Sequence, residues 1–220
     1  MTATHRGGAG GKRVLLVHGM GRTPLAMYGL ARYLRRMGCP VEHFGYLAPL
    51  QSFAAITGRL RARLRAIAAR GHPYVVIGHS LGGLLLRAAL AFEPDPIPPP
   101  GHLVLLGTPG RPPRLAVRCQ RMAIYRWLAG ECGQALAGPD LFARLPPPRV
   151  PYTIIAGTRG WQGRLSPFGS EPNDGVVALS ETRLAPDDRV VAVPVGHTFM
   201  MNSRQVRTAL GSIMAGDTSC

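Results

Sequence analysis

Apolar positions along the chain fall into two alternating patterns. Residues 14–17, 41–46, 74–77, 103–106, 152–156 and 190–195 are short, nearly continuous apolar or β-branched runs, the pattern of strands buried on both faces. Between them the period changes to three or four. In 24–37, Leu25, Tyr28, Leu30, Tyr33 and Leu34 form an apolar side ahead of Gly38. In the next long stretch Phe53, Ile56, Leu60, Leu64 and Ile67 do the same, with Arg59, Arg61, Arg63 and Arg65 mostly off the stripe and Gly71 as the stop. Leu81, Leu84, Leu85, Ala88 and Ala89 predict a helix to about residue 92, and Val206, Leu210 and Ile213 one over 205–214. These spacings predict helices. Strands alternating with helices predict βαβ units: one α/β domain over 1–220, with about six mostly parallel strands and helices on both faces. Residues 94–100 are proline-rich and read as a connection. No strand pattern occurs in 110–150.

The passage from strand to helix at 74–83 carries the first chemical signal. Ser80 stands between Gly78 and Gly82 in G-x-S-x-G spacing, followed by Gly83. A serine on such a turn exposes its Oγ at the strand tip, and the glycines admit the tight crossing of strand and helix. The helix N-terminus behind it presents free N–H groups to a developing negative charge. A phosphate-binding loop is the other reading of a glycine-rich turn here. The lysine of a G-x-x-x-x-G-K-[ST] loop is missing, which favours the nucleophile.

Such a nucleophile needs a base, an acid and oxyanion donors, in the chain order Ser, Asp or Glu, His. Only His102 and His197 follow Ser80. His102 precedes the fourth strand, at the sheet edge opposite Ser80. His197 follows the sixth strand, at the edge where Ser80 lies, and is the expected base. Asp174, in the turn sequence Pro172-Asn173-Asp174-Gly175, is the favoured acid, with Glu171 as the fallback. Asp187 and Asp188 read as capping residues of a separate polar turn. The backbone N–H groups of Met20 and Leu81 are the expected oxyanion donors, Met20 lying in His18-Gly19-Met20-Gly21 after the first strand. His18 and His79 read as packing or loop-supporting residues. Met20, Leu81, Phe199 and Met200 are candidates for an apolar substrate pocket or for ordinary core.

Together these motifs resemble the α/β-hydrolase fold, and within it the small bacterial lipases and esterases. Asn173-Asp174-Gly175-Val176-Val177 and Val195-Gly196-His197-Thr198 resemble the bacterial class 2 lipases and PGAP1-like serine hydrolases. The resemblance covers residues 13–214 and implies a minimal α/β-hydrolase fold without the first two strands of the larger relatives. It implies an acyl-enzyme mechanism with no metal or cofactor, acting on a small-molecule acyl ester or lipid. Esterases, lipases, thioesterases and acyltransferases share this fold. Residues 110–150 occupy the place of a cap. Spacings of three, four and three put Arg111, Arg114, Arg118 and Arg121 on one helical face, and Met122, Ile124, Tyr125, Trp127 and Leu128 add apolar surface. The stretch reads either as a lid or as a solvated surface helix.

The formal net charge is +15, carried by 25 arginines and one lysine, Lys12. It favours anionic partners, a membrane surface or an acidic carrier protein. No nucleic-acid motif accompanies it. Four cysteines include no C-x-x-C pair, against a zinc site. Cys119 and Cys132 are close enough in sequence to bridge, but free thiols are the favoured reading. Residues 1–11 are polar and glycine-rich, without the apolar stretch of a secretory signal, so the expectation is a soluble cytoplasmic protein.

Overall fold

Burial on both faces explains why the strands read as unbroken apolar runs. The computed structural model describes residues 11–91 and 96–215, without the side chains of 123–128. Six parallel strands, β1 (Arg13–Val17), β2 (Val41–Phe44), β3 (Tyr74–His79), β4 (His102–Leu106), β5 (Tyr152–Gly157) and β6 (Val190–Val193), form one sheet in the order β2-β1-β3-β4-β5-β6. Successive side chains point to opposite faces. Leu15, Val17, Val76, Leu105 and Ile154 therefore meet α2 (Phe53–Ala68) and α3 (Leu81–Ala91) through Ile56, Leu60, Leu64 and Leu84. Val14, Leu16, Ile77, Val104 and Ile155 meet α1 (Tyr28–Arg36) and α7 (Arg204–Ala215) through Leu30, Leu34, Val206 and Leu210. This is a minimal α/β-hydrolase architecture.

The strand order reverses direction between β1 and β3. Loops leaving these two neighbours at their C-terminal ends run to opposite faces and leave a crevice, the usual place for a site in an open parallel sheet. Edge strand β2 is guarded by charge: Glu42 pairs with Arg13 at 3.1 Å, Arg63 at 2.5 Å and Arg70 at 2.7 Å, which discourages further strand addition.

Several elements depart from the sequence expectation. The helix expected over 24–37 is a 3-10 turn, Pro24–Met27, followed by α1. Its buried stripe is Met27, Leu30, Ala31 and Leu34, while Leu25 and Tyr28 face outward. Pro24 at the turn's start and the tighter 3-10 winding rotate the apolar side away from the one spaced on a continuous α-helix. Strands β2 and β6 are each two residues shorter than their apolar runs. Residue 92 lies outside the described residues.

The interval 110–150 holds three helices, α4 (Arg114–Cys119), α5 (Ala123–Ala137) and α6 (Pro139–Ala143). The expected single basic helical face does not form. Pro112 and Pro113 precede α4, whose helix ends at Cys119, so Arg111 and Arg121 lie outside it. Arg111 instead donates to Ser180 Oγ at 2.8 Å, and Arg114 pairs with Glu171 and, at 2.8 Å, with Glu181. Gly130 breaks the helical geometry of α5 at φ 56°, where it lies against Ala48 and Pro49 of the β2–α2 loop. The side chains of Ile124, Tyr125, Trp127 and Leu128 lie outside the described residues. Cys39, Cys119 and Cys132 are not joined in disulfides. No helix among the described residues is long and apolar enough to cross a membrane.

Candidate active site

Ser80 follows β3 directly and precedes α3, and it is the one non-glycine residue among those described with a positive φ, 52°. A serine held in this region is strained. The surroundings over-determine it. Its N–H donates to the Leu106 carbonyl at 2.8 Å and its carbonyl accepts from Gly83 N–H at 3.0 Å. A Cβ at Gly82 would overlap the Val17 and His18 carbonyl oxygens, and one at Gly78 would lie 2.5 Å from Gly83 Cα. The glycines thus let β3, α3 and the end of β1 close onto one another, and Ser80 is turned outward, half-buried.

The loop after β1 comes down beside it. A Cβ at Gly19 would lie 3.2 Å from Ser80 Cβ and 2.7 Å from His79 Nδ1, so only a glycine lets the backbone carrying Met20 this close. His18 holds the loop from behind. Its Nε2 accepts from Tyr46 N–H at 3.3 Å, which leaves Nδ1 to donate to Gly19 O at 2.9 Å, and its ring stacks on Tyr46 at 4.3 Å. Burial keeps this imidazole below its ordinary pKa, with the hydrogen bond to Gly19 opposing in part. Met20 is half-buried, its N–H on this loop. Leu81 N–H is at the start of α3, where first-turn N–H groups have no intrahelical acceptor.

His197 and Asp174 meet on the same sheet edge. His197 Nδ1–H donates to Asp174 Oδ2 at 2.6 Å, and His197 N–H donates to the Asp174 carbonyl at 2.8 Å. Asp174 Oδ1 accepts from the N–H groups of Val176 at 2.9 Å and Val177 at 2.7 Å. The carboxylate is therefore fixed by its own turn and aimed by its second oxygen. Asn173, fully buried, fixes the turn, accepting from Gly175 N–H and donating to the Trp161 and Glu171 carbonyls. With Nδ1 donating, the neutral His197 ring presents Nε2 as an acceptor. Gly107, at the end of β4, faces both: a Cβ there would lie 3.1 Å from Asp174 Oδ2 and 3.1 Å from His197 Nδ1.

The alternatives from the sequence separate cleanly. Glu171 is engaged by Arg114 and accepts from Ser180 N–H at 3.1 Å, away from His197. His102 donates to or accepts from Thr153 Oγ1 at 2.9 Å near the opposite edge. Asp188 accepts from the N–H groups of Leu184 and Ala185 and from Tyr152 OH, capping its turn. Of the pocket candidates, Phe199 is exposed beside a surface hollow lined by Arg159, Val195 and Asn202. Met200 and the Leu81 side chain are fully buried and belong to the two cores. In the 3-10 turn His197–Asn202 successive side chains stand about 120° apart, and here Phe199 turns to the surface while Met200 turns into the core.

One role escaped the sequence. His79, next to Ser80, donates from Nε2 to the His197 carbonyl at 3.1 Å, and the two rings lie 4.7 Å apart. Complete burial, reinforced by the neighbouring His197, holds the His79 imidazole well below its ordinary pKa. It ties β3 to the loop that carries His197, 118 residues away, and no local signal announces that.

A strained serine elbow at the switch point of an open parallel sheet, with an Asp–His pair on the same edge, defines a hydrolase of α/β architecture. The model of the alpha/beta hydrolase family matches residues 14–209, and the chain belongs to that family. Among solved structures it is similar to a Bacillus licheniformis lipase in mature form, at 18% identity over 97% of this chain and 96% of that one, with a TM-score of 0.66. A metagenomic carboxyl esterase aligns at 16% identity over 94% and 76%, with a TM-score of 0.70. The RedJ thioesterase of the prodiginine pathway in Streptomyces coelicolor aligns at 16% identity over 96% and 92%, with a TM-score of 0.56. No curated protein matches. Likeness at these identities is likeness of fold. The family match is broad, and the class 2 lipase subtype stays a resemblance.

Proposed function

We propose that the protein is a serine hydrolase that cleaves carboxylic esters of small-molecule or lipid substrates. The observation that carries this reading is the Asp174–His197 hydrogen bond on the sheet edge where Ser80 is held at φ 52°. In this reading His197 Nε2 takes the Ser80 proton as Oγ attacks the ester carbonyl. The N–H groups of Met20 and Leu81 stabilise the oxyanion, and Asp174 stabilises the imidazolium. His197 returns the proton to the leaving alcohol. Water then attacks the acyl-enzyme, with His197 again as base. Phe199 and Met20 offer apolar contact to the acyl chain, and residues 110–150 cover the site as a cap.

Thioester cleavage or acyl transfer from an acidic carrier protein is the second reading. The net charge of +15 and the thioesterase among the structural neighbours favour it. Turnover of p-nitrophenyl esters from two-carbon to sixteen-carbon acyl chains, with Ser80→Ala alongside, tests the proposal. Turnover is expected and should fall by about 10⁴-fold or more in the mutant. Residual activity near wild type would refute it. Faster release from an acyl thioester than from the matched oxygen ester would select the second reading.

A further inference from the structure

Among the described residues, the exposed large apolar side chains all follow the C-terminal ends of strands, at one edge of the sheet. Leu25, Leu50, Met122, Trp161, Leu165 and Phe199 are between 52% and 82% exposed. They come from the five segments that follow the C-terminal ends of β1, β2, β4, β5 and β6. The remaining three exposed large apolar residues, Tyr28, Leu47 and Val117, follow β1, β2 and β4 in the same way. Among the described residues of 37–40, 69–73, 96–101, 144–151 and 185–189, which border the opposite edge, none is of this kind.

The same edge is basic. The segments 18–27, 45–52, 107–122, 158–182 and 194–203 contain seven arginines and three carboxylates. All three carboxylates are engaged internally: Asp174 with His197, and Glu171 and Glu181 with Arg114. Arg118, Arg121, Arg159 and Arg164 are exposed among the apolar side chains. The opposite edge is basic too, with Arg70, Arg144, Arg149 and Arg189 against Asp187 and Asp188, so the apolar side chains, not charge alone, single out the edge around Ser80.

We propose that this edge, with Ser80 at its centre, docks onto an anionic lipid surface. Single leucines, a methionine and two aromatic side chains projecting from five separate loops suit insertion among acyl chains, each burying its own apolar area without a matching protein groove. Tryptophan and arginine suit the headgroup level, and arginines without free carboxylates beside them are complementary to anionic headgroups. Docking by this edge brings Ser80 to the lipid; that consequence rests on the function proposed above, whereas the binding itself does not.

The test is co-sedimentation of the full-chain Ser80→Ala protein with vesicles of phosphatidylcholine alone and of phosphatidylcholine with one-third phosphatidylglycerol. Binding is expected only to the anionic vesicles and should be weakened by molar salt. Leu50→Ser with Leu165→Ser should weaken it at least roughly tenfold. Arg121→Ser with Arg164→Ser should weaken it about fivefold per arginine. Arg144→Ser with Arg189→Ser, exposed near the opposite edge, should bind within about twofold of the parent, since strands of about 3.3 Å per residue separate the two edges by roughly 16 Å, more than a Debye length. Circular dichroism identifies any variant that fails to fold, and the other pair then carries the test. Three results would overturn the proposal: no binding to anionic vesicles, equal weakening by the opposite-edge pair, or binding to an acidic carrier protein without vesicle binding. Vesicle binding by a protein that, with Ser80 intact, turns over no ester would instead overturn the enzymatic reading and leave the docking face standing.

Discussion

Asp174 divides its two oxygens between two tasks, and this makes its amide variant informative. Oδ1 is taken by two backbone N–H groups and Oδ2 by His197. In Asp174→Asn the amide oxygen keeps the backbone, and the amide NH₂ faces His197 Nδ1. His197 must then carry its proton on Nε2, the wrong tautomer for a base. The expected result is a loss of about 10⁴-fold in kcat with the fold retained, read from ester turnover and circular dichroism. A greater loss in Glu171→Gln would move the acid to Glu171. His79 acts one step further out, through the His197 carbonyl. His79→Phe leaves that buried carbonyl without its donor, at a cost of about 1–3 kcal/mol, and frees the His197 loop. We expect a lower melting temperature and a kcat reduced about tenfold. His79→Gln, which keeps an N–H donor, should recover most of both. Equal behaviour of Phe and Gln would reduce His79 to packing.

At the scale of the element, the nucleophile turn depends on missing side chains rather than on attractive contacts. β3 and α3 meet at an angle that places Gly82 against the carbonyl oxygens ending β1. Because those oxygens are backbone, they cannot move aside as a side-chain tip would. Gly82→Ala should therefore cost about 3 kcal/mol or more, seen as a lower denaturant midpoint or as loss of soluble protein, whereas Gly58→Ala on α2, with open space around it, should be neutral or slightly stabilising. A Gly82→Ala protein as stable as the parent would contradict the crossing described here. The 110–150 interval shows the same dependence on neighbours. Prolines shorten α4, and Arg114 is drawn to Glu171 and Glu181 of a segment far along the chain.

For the whole molecule, buried neutral histidines set an acid limit. His18 and His79 both have folded-state pKa values below the ordinary value of 6.5, chiefly through burial. The unfolded chain therefore binds more protons than the folded one at pH values between the depressed and the ordinary pKa. Their contribution to stability is fully present above about pH 6.5 and is lost as pH falls below it. The melting temperature should decline from pH 7 to pH 5, and less steeply in His79→Gln. A flat profile over that window would show that these rings do not couple folding to protonation.

The apolar runs and helical spacings determine the α/β class, because a strand covered on both faces has no polar side to alternate with. Ser80, the Asp174 turn and the motif after β1 are also legible, since each depends on glycine or turn residues close in sequence. The ends of elements were less so. The buried side of 24–37 depends on whether the chain winds as a 3-10 turn or an α-helix, and β2 and β6 stop where pairing stops rather than where apolar residues do. Tertiary structure alone pairs Arg114 with Glu171 and His197 with Asp174, which supports Asp174 as the proposed acid. It alone placed Met200 in the core and Phe199 at the surface, gave His79 its hold on His197, and gathered five loops distant in sequence into one apolar, basic edge. Each of these is a contact between residues tens of positions apart, and sequence periodicity carries information only about neighbours.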